Sequence, residues 1–250
     1  MTITSTLTIT VCDQVQHIQL NQAASHHRLS VDMMDELMAQ FQSPSTRVIV
    51  ISASGPVFCA GADLRWMQDR HSDAPAHKLA ALLEAMDHCP VPIAIAVTGD
   101  VYGGGLGLLA CADIVFSNEL AQYCFSEAKL GLVPALISPY ILRAVGFRQL
   151  KPLVISANLF TAHHAAQIGL IHQVSQTALD DAFHWAKQTL ACGPNAIKQI
   201  KWLCRELTPI SQQHIQETHA LLNVVRKGDE AQAGIEAFLQ KQRPPWDNQE

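Results

Sequence analysis

Two glycine-containing passages of the chain share the residue types needed to hold an anionic oxygen. Ser54–Gly61 and Thr98–Gly105 align at an offset of 44 residues, and both contain a glycine, a valine, an aromatic residue and a second glycine. A strand-to-helix turn of small residues lets the backbone approach a ligand, and the first N–H groups of a helix have no intrahelical partners. One such turn suits a phosphate, whereas two adjacent turns suit one oxygen held between them, as in an oxyanion hole. Close packing of a helix on a strand needs the same glycines, so the repetition is what favours a ligand site.

Glu127 is the candidate for proton transfer. It lies in the apolar stretch 123–134. Burial in such surroundings raises the pKa of a carboxyl group and lets it exchange protons near neutral pH. The alternative is an ion pair with Lys129 or a solvated surface position.

Other chemistries receive less support from the sequence. Gly105–Ala110 fits the glycine pattern of dinucleotide-binding folds, but the expected acidic residue should end the next strand, and Glu127 lies beyond the strand-like run Ile114–Phe116. The chain contains no Gly-x-Ser-x-Gly sequence, which weighs against an α/β-hydrolase. The twelve histidines form no metal-like cluster, so we expect no metal site.

Strand and helix patterns alternate in the first part of the chain. Leu7–Val11 and Val15–Leu20 predict a hairpin, and Ser30 is the expected N-cap of the helix that follows. The continuous apolar runs Val48–Ile51 and Ile93–Val97 are typical of strands buried on both faces. Because each run leads into one of the two glycine passages, the repetition predicts successive turns of a right-handed βα superhelix.

Helical patterns dominate the second part. One helix is predicted from Ser138 to Gly146 and another from Thr161 to Gly169, with a short strand at Leu170–Val174 between them and the later helices. The predicted organisation is an α/β core over 1–175 and a helical region over 176–250.

Composition limits the classes of partner. The chain has 250 residues, 48% of them hydrophobic and 16% charged, with 17 basic and 22 acidic side chains and a net charge of −5. The sequence has no basic stripe of the kind that binds nucleic acid or a membrane surface, and it has no apolar run long enough to span a bilayer. The first residues lack the features of a signal peptide. Seven cysteines without a Cys-x-x-Cys pair suit a reducing cytoplasm, and the low charge suits a chain that hides surface in a subunit interface.

Several segments, in the same order along the chain, resemble the crotonase (enoyl-CoA hydratase/isomerase) superfamily. Phe58–Leu64 and Gly103–Asp113 are similar to its two signature segments, and Phe125–Pro134 is similar to the third. Ala165–Val174 and Phe238–Trp246 are similar to later family segments.

The resemblance implies an α/β fold, a crotonase-like spiral of ββα turns followed by a helical C-terminal region used for trimerisation. It implies an acyl-CoA thioester as substrate, with coenzyme A as part of that substrate and no separate cofactor, and a homotrimer or dimer of trimers. The thioester oxygen would rest against the backbone N–H groups of Ala62 and Gly104. Of the two glutamates that family hydratases use, the second maps to Glu127 and the first maps to Gly107. The expected substrate-binding residues are Ala60, Gly61, Asp63, Leu64, Arg65, Trp66, Gly105, Gly107 and Pro134, with Arg65 directed at the phosphates of coenzyme A.

The expected activity is that of an enoyl-CoA hydratase-type lyase, with Glu127 as both base and acid. Local motifs resemble bacterial hydratases of branched 3-methyl-enoyl-CoA, such as methylglutaconyl-CoA hydratase. A Δ3,Δ2-enoyl-CoA isomerase, an acyl-CoA thioesterase and a non-catalytic acyl-CoA-binding subunit are the alternatives. The glycine at 107 has two interpretations: room for a bulkier or branched acyl group, or a helix packed too closely for a side chain. The segment Gln68–His77 is shorter than usual in the family, which predicts a reduced or mobile acyl-binding wall.

Overall fold

The computed structural model describes residues 2–4 and 6–247. Residues 1 and 5 of the predicted α/β core and residues 248–250 of the predicted helical region lie outside it. The strands, in chain order, are β1 (Thr2–Ile3), β2 (Leu7–Cys12), β3 (Val15–Leu20), β4 (Val48–Ala53), β5 (Val57–Cys59), β6 (Ile93–Val97), β7 (Asp100–Tyr102), β8 (Ile114–Ser117), β9 (Gln122–Cys124), β10 (Phe160–Thr161) and β11 (Gln173–Val174). The helices are α1 (Val31–Gln42), α2 (Leu64–Gln68), α3 (Ala74–Asp87), α4 (Gly104–Cys111), α5 (Ser138–Ser156), α6 (Ala162–Gln167), α7 (Ala178–Thr189), α8 (Pro194–Leu207), α9 (Gln212–Lys227) and α10 (Asp229–Leu239). Two 3₁₀ turns cover Ala23–Ser25 and Glu127–Leu130.

The strands form two sheets that the chain visits alternately. The larger sheet has the order β1-β2-β3-β4-β6-β8-β11 and is parallel from β3 onward. The smaller sheet has the order β10-β9-β7-β5, and β5, β7 and β9 are parallel. Three successive pairs of strands, β4–β5, β6–β7 and β8–β9, therefore give one strand to each sheet before the next helix or 3₁₀ turn, which confirms the predicted α/β spiral.

The hairpin and the first helix form as their residue types predict. β2 and β3 pair in antiparallel register from Leu7 opposite Leu20 to Cys12 opposite Val15. Asp13 and Gln14, at the turn, both have positive φ, a conformation in which Asp is more common than most residues. The Ser30 side chain accepts a hydrogen bond from the Met33 N–H and caps α1.

The strands β4 and β6 are buried on both faces, as their continuous apolar sequences predict. Ile49, Ile51, Ile93 and Ile95 face the main hydrophobic core. The alternate residues Val48, Val50, Ala94 and Ala96 form a second cluster, against which α7 packs with Ala178, Ala182 and Ala186. The strand period of two thus divides one apolar run between two layers of helices.

The bounds of two predicted elements can be compared with the structure. The helical backbone that begins at Ser138 is broken at Gly146, at φ +74° and ψ 159°, as predicted, and a second helical segment after this kink continues α5 to Ser156. The strand expected over Leu170–Val174 is limited to Gln173–Val174. The N–H groups of Leu170 and Ile171 instead bond to the carbonyl of Ala165 in a turn that closes α6, so they are unavailable to a sheet.

The C-terminal helices reach back to the first half of the chain. Ala231 and Ile235 of α10 form a small cluster with Met67 of α2 and with Leu132, which follows the second 3₁₀ turn. Among the described residues, no helix is both long and apolar enough to cross a membrane. The boundary at 175/176 stays a prediction.

Candidate active site

A cavity of about 720 Å³ opens where the two glycine passages, the second 3₁₀ turn and the end of α10 meet. It is lined by Ser25, His26, Arg28, Val57, Ala60, Gly61, Ala62, Asp63, Leu64, Arg65, Met67, Tyr102, Gly103, Gly104, Cys124, Ser126, Glu127, Lys129, Leu130, Leu132, Leu159, Phe238 and Leu239. Backbone N–H groups, the carboxyl groups of Asp63 and Glu127, and apolar walls thus share one space.

Hydrogen bonds to the neighbouring segment 26–29 hold the first glycine passage beside the cavity. The Ala60 N–H donates to the His26 carbonyl at 2.9 Å, and the Gly61 carbonyl accepts from the Leu29 N–H at 2.8 Å. Gly61 has φ +83°, and a β-carbon there would lie 2.9 Å from the Tyr102 carbonyl oxygen. Only glycine fits this position, because both the backbone conformation and the available space exclude a side chain. The N–H of Ala62 makes no backbone hydrogen bond within the described part of the chain.

The second passage brings a matching N–H group to the same place. Gly104 is the first residue of α4, so its N–H has no intrahelical partner. A β-carbon on Gly104 would lie 3.5 Å from the Ala62 nitrogen, and one on Gly61 would lie 3.1 Å from the Gly104 nitrogen. The two N–H groups are therefore neighbours, as an oxyanion hole requires.

Glu127 lies against the second passage. A β-carbon on Gly103 would be 3.1 Å from the Glu127 Oε1. The residue as a whole is half-buried, but its Oε2 is shielded from solvent and has no hydrogen-bond partner. Burial raises the pKa of Glu127 to about 7, although a hydrogen bond from its own backbone acts in the opposite direction. A carboxyl group with this pKa can both take and return a proton near neutral pH.

Asp63 organises the charges at the edge of the cavity. It caps α2 by accepting from the Arg65 N–H, and it pairs with Arg28 at 2.9 Å and with Arg65 at 2.7 Å. Burial acts to raise the pKa of Asp63, but the hydrogen bonds from Arg65 and the charge of Arg28 outweigh it, so the pKa lies below its usual value. With two cationic partners, Asp63 is poorly suited to proton transfer.

The structure brings eight of the twelve predicted site residues together. Those that line the cavity are Ala60, Gly61, Ala62, Asp63, Leu64, Arg65, Gly104 and Glu127. Trp66, Gly105, Gly107 and Pro134 are not among the lining residues.

The four residues outside the lining have packing roles instead. Trp66 packs against the hydrophobic core, and the Pro134 carbonyl accepts a hydrogen bond from the Ser138 hydroxyl at 2.7 Å. A β-carbon on Gly105 would lie 2.9 Å from the Cys59 β-carbon, so this glycine lets α4 approach β5. A β-carbon on Gly107 would lie 2.5 Å from the Ile137 Cγ2 and 3.1 Å from the Leu83 Cδ2. These distances favour the second interpretation of Gly107, a helix packed too closely for a side chain. They are contrary to the substrate-binding role expected for Gly107, which does not line the cavity.

Several lining residues escaped the sequence-based prediction. His26 and Arg28 come from the loop before α1, and Phe238 and Leu239 come from the end of α10. Their positions depend on contacts between distant segments, and a single sequence gives no signal for them. Gly103 does have a signal in the sequence, because it lies within the glycine passage Thr98–Gly105. In the structure it has φ +48° in the turn that begins α4.

Two convergent N–H groups beside a buried carboxyl group define a site suited to moving protons next to a polarised carbonyl group. Comparison with known proteins identifies the family of the chain. The family model for enoyl-CoA hydratase/isomerase matches residues 11–249. The chain therefore belongs to the enoyl-CoA hydratase/isomerase family and is an enzyme.

Individual relatives are similar over most of their length. The chain is 31% identical over 222 residues to a putative enoyl-CoA hydratase of Thermus thermophilus, covering 85% of this chain and 86% of that protein. It is 29% identical to the 2,3-dehydroadipyl-CoA hydratase of Escherichia coli, covering 97% and 98% of the two chains. Among solved structures, an enoyl-CoA hydratase from Shewanella pealeana aligns with a TM-score of 0.77 and 32% identity, covering 96% of this chain and 95% of the other.

The packing at Gly107 predicts the outcome of adding a side chain there. Gly107→Glu should lower the free energy of unfolding by about 2 kcal/mol or more, because the side chain overpacks the Ile137 contact and buries a carboxyl group. Thermal and urea denaturation measure the change. Gly193→Ala is the control, since a β-carbon there meets only Ala196 at an ordinary 3.8 Å. A folded Gly107→Glu variant of normal stability would contradict the packing account.

The raised pKa of Glu127 predicts a pH-dependent effect on stability. Unfolded Glu127 ionises near 4.5, whereas in the folded chain its pKa is about 7, so between these values the folded state holds a proton that the unfolded state has lost. This contribution is complete below the lower pKa and is lost as pH rises through the higher one. Glu127→Gln should therefore match the wild type near pH 4 and exceed its stability by up to about 3 kcal/mol above pH 8.

Urea denaturation across this pH range measures the difference. Glu119→Gln, the same substitution at an exposed position, is the matched control. A difference for Glu127→Gln that does not change with pH, or one equal to the control, would show that burial of the carboxylate carries no such cost.

Proposed function

We propose that this enzyme adds water across the α,β double bond of an enoyl-CoA thioester, with Glu127 as its single proton-transferring group. The observation that carries the proposal is the buried Glu127 carboxyl group in the cavity that also exposes the N–H groups of Ala62 and Gly104. The relatives, which are mainly named as hydratases, support the same reaction.

In the proposed mechanism, the thioester oxygen accepts hydrogen bonds from the N–H groups of Ala62 and Gly104, which makes Cβ electrophilic. Glu127 takes a proton from water as the water oxygen bonds to Cβ, and the electrons of the double bond pass to the thioester oxygen as an enolate. The protonated Glu127 then gives its proton to Cα while the carbonyl group re-forms. One oxyanion donor contributes typically about 2.7–4 kcal/mol, and a positioned acid/base group contributes about 10²–10⁴ in rate.

Isomerisation of a Δ3-enoyl-CoA is the second candidate, because position 107 carries no carboxylate. A proton removed from Cα and returned to Cγ needs one carboxyl group and no water. Glu127 alone is sufficient for this shuttle, with the same two N–H groups stabilising the enolate. A relative from Mycosarcoma maydis, 26% identical, is named an enoyl-CoA isomerase/hydratase.

The cavity walls favour an apolar acyl chain. Leu64, Met67, Leu130 and Leu132 contribute side chains to the lining. The contacts of Gly107 with Ile137 and Leu83 remove the spatial argument for a branched acyl group. A 3-methyl-enoyl-CoA stays a prediction that rests on the local motifs alone.

The cationic side chains at the cavity are proposed to bind the phosphates of coenzyme A. They are Arg28, Arg65 and Lys129. Arg65 and Arg28 already share Asp63, so a phosphate would compete with that carboxylate for them. Coenzyme A enters as part of the substrate, and the proposed reaction needs no separate cofactor.

Assembly into a homotrimer or a dimer of trimers is proposed from the apolar surface of the later helices. Helix α8 has no buried residue, yet it exposes Ile200, Trp202, Leu203 and Leu207. Several large apolar side chains exposed on one helix are typical of an interaction surface. Light scattering on the purified protein should give three or six times the 27.3 kDa chain mass.

The seven cysteines are all free, which supports the proposal that the protein lies in a reducing cytoplasm.

Product identification tests the proposed reaction. Crotonyl-CoA should gain the mass of one water, whereas a Δ3-enoyl-CoA should keep its mass if the enzyme isomerises, and a thioesterase would release free coenzyme A. Glu127→Gln should lose about two to four decades of kcat, with little change in acyl-CoA affinity. Near-normal turnover by this variant would remove Glu127 from the mechanism, and binding without any turnover in the wild type would indicate a non-catalytic subunit.

A further inference from the structure

The guanidinium group of Arg226 is fully buried near the end of α9 and reaches the distant segment 69–73. Its Nη1 donates to the Asp69 carbonyl at 2.6 Å, and its Nη2 donates to the Ser72 carbonyl at 2.7 Å and forms an ion pair with Asp73. Its Nε donates to the Asn223 side chain at 3.1 Å. One side chain therefore holds both ends of the link 69–73 between α2 and α3.

This link determines where α2 ends, and α2 forms one wall of the cavity. Leu64 and Met67 of α2 line the cavity, and the helix begins directly after Ala62. Gln232 extends the connection, because its Nε2 donates to the Met67 carbonyl at 3.1 Å and to the Arg226 carbonyl at 2.7 Å. A helix of five residues has too few internal hydrogen bonds to hold its own position, so these external contacts position it.

We infer that Arg226 is a positioning residue for the apolar wall of the cavity, an inference that rests on the proposed acyl-CoA substrate. By holding 69–73, Arg226 keeps Leu64 and Met67 in place against the acyl chain. Its planar fork bonds to two carbonyls and a carboxylate at once, which the single ammonium group of lysine cannot reproduce. Arg226 does not line the cavity, so it acts on the bound acyl chain only through the position of α2.

The inference predicts a change that depends on acyl length. In Arg226→Lys and Arg226→Met, the ratio of kcat/KM for trans-2-octenoyl-CoA to that for crotonyl-CoA should fall about tenfold or more, since small displacements of positioning groups are costly. The fall should come from a higher KM for octenoyl-CoA, with kcat for crotonyl-CoA nearly unchanged, because the short acyl chain meets little of the wall.

Lys227→Met is the matched control. Lys227 is the next residue of α9 and pairs with the same Asp73, but it is half-exposed and bonds to neither carbonyl of the link. This variant should keep the wild-type ratio. Asp73→Asn, which removes the charge and leaves both carbonyl contacts, should change the ratio less than either Arg226 variant.

Three results would overturn the inference. They are an unchanged ratio in a folded Arg226 variant, an equal loss for both substrates, and failure of both Arg226 variants to fold, which would assign the residue to general stability. If the wild type turns over neither thioester, the proposed function fails, and hydrogen exchange then tests the positioning role of Arg226 by itself.

Arg226→Lys should speed amide exchange in 64–73 but not in α4. Unchanged exchange in 64–73 would show that Arg226 does not hold this segment in place.

Discussion

The close approach of two backbone segments, with no room for a side chain between them, is the constraint on which the rest of the site depends. The strands β5 and β7 pair in parallel, so the turns that follow them leave the same edge of the smaller sheet. Gly61 lies against the Tyr102 carbonyl and the Gly104 nitrogen, and any β-carbon there would push the turns apart. The meeting of the Ala62 and Gly104 N–H groups is a consequence of this contact.

The third parallel strand of that sheet, β9, leads to the carboxyl group. It ends at Cys124, and its carbonyl accepts the Gly103 N–H at 3.0 Å, which ties the second glycine turn to the segment that carries Glu127. Three successive turns of the spiral thus deliver Ala62, Gly104 and Glu127 to one edge. The burial that raises the Glu127 pKa to about 7 also makes its ionised form costly, so the feature that suits proton transfer reduces stability at high pH.

The elements and residues that could be predicted from the sequence are those determined by local chemistry or by repetition. The hairpin, the Ser30 cap, the buried runs of β4 and β6 and the repeated glycine turns each have a signature within a few neighbouring residues. The break in α5 at Gly146 has such a signature too. The helical segment that follows it to Ser156 could not be predicted in this way, because Pro152 within it opposes a helix.

The side chains that close the cavity depend on tertiary contacts. Phe238 and Leu239 reach it only because α10 packs on Met67 and Leu132, and nothing in their own sequence indicates a ligand. Gly107 shows that the place of a residue in a family pattern does not by itself predict the surroundings of that residue. It occupies the place of a glutamate in the family pattern, but its surroundings are decided by Ile137, thirty residues further along the chain.

Exchange of the Cα protons of a saturated thioester tests the central claim most directly, because it isolates enolate formation from hydration and isomerisation. Butyryl-CoA incubated with the enzyme in D₂O can be followed by NMR or mass. The wild type should incorporate deuterium at Cα, and Glu127→Gln should not. Absence of exchange in the wild type, or equal exchange in the variant, would contradict the assignment of Glu127 and the two N–H groups to one proton-transfer site.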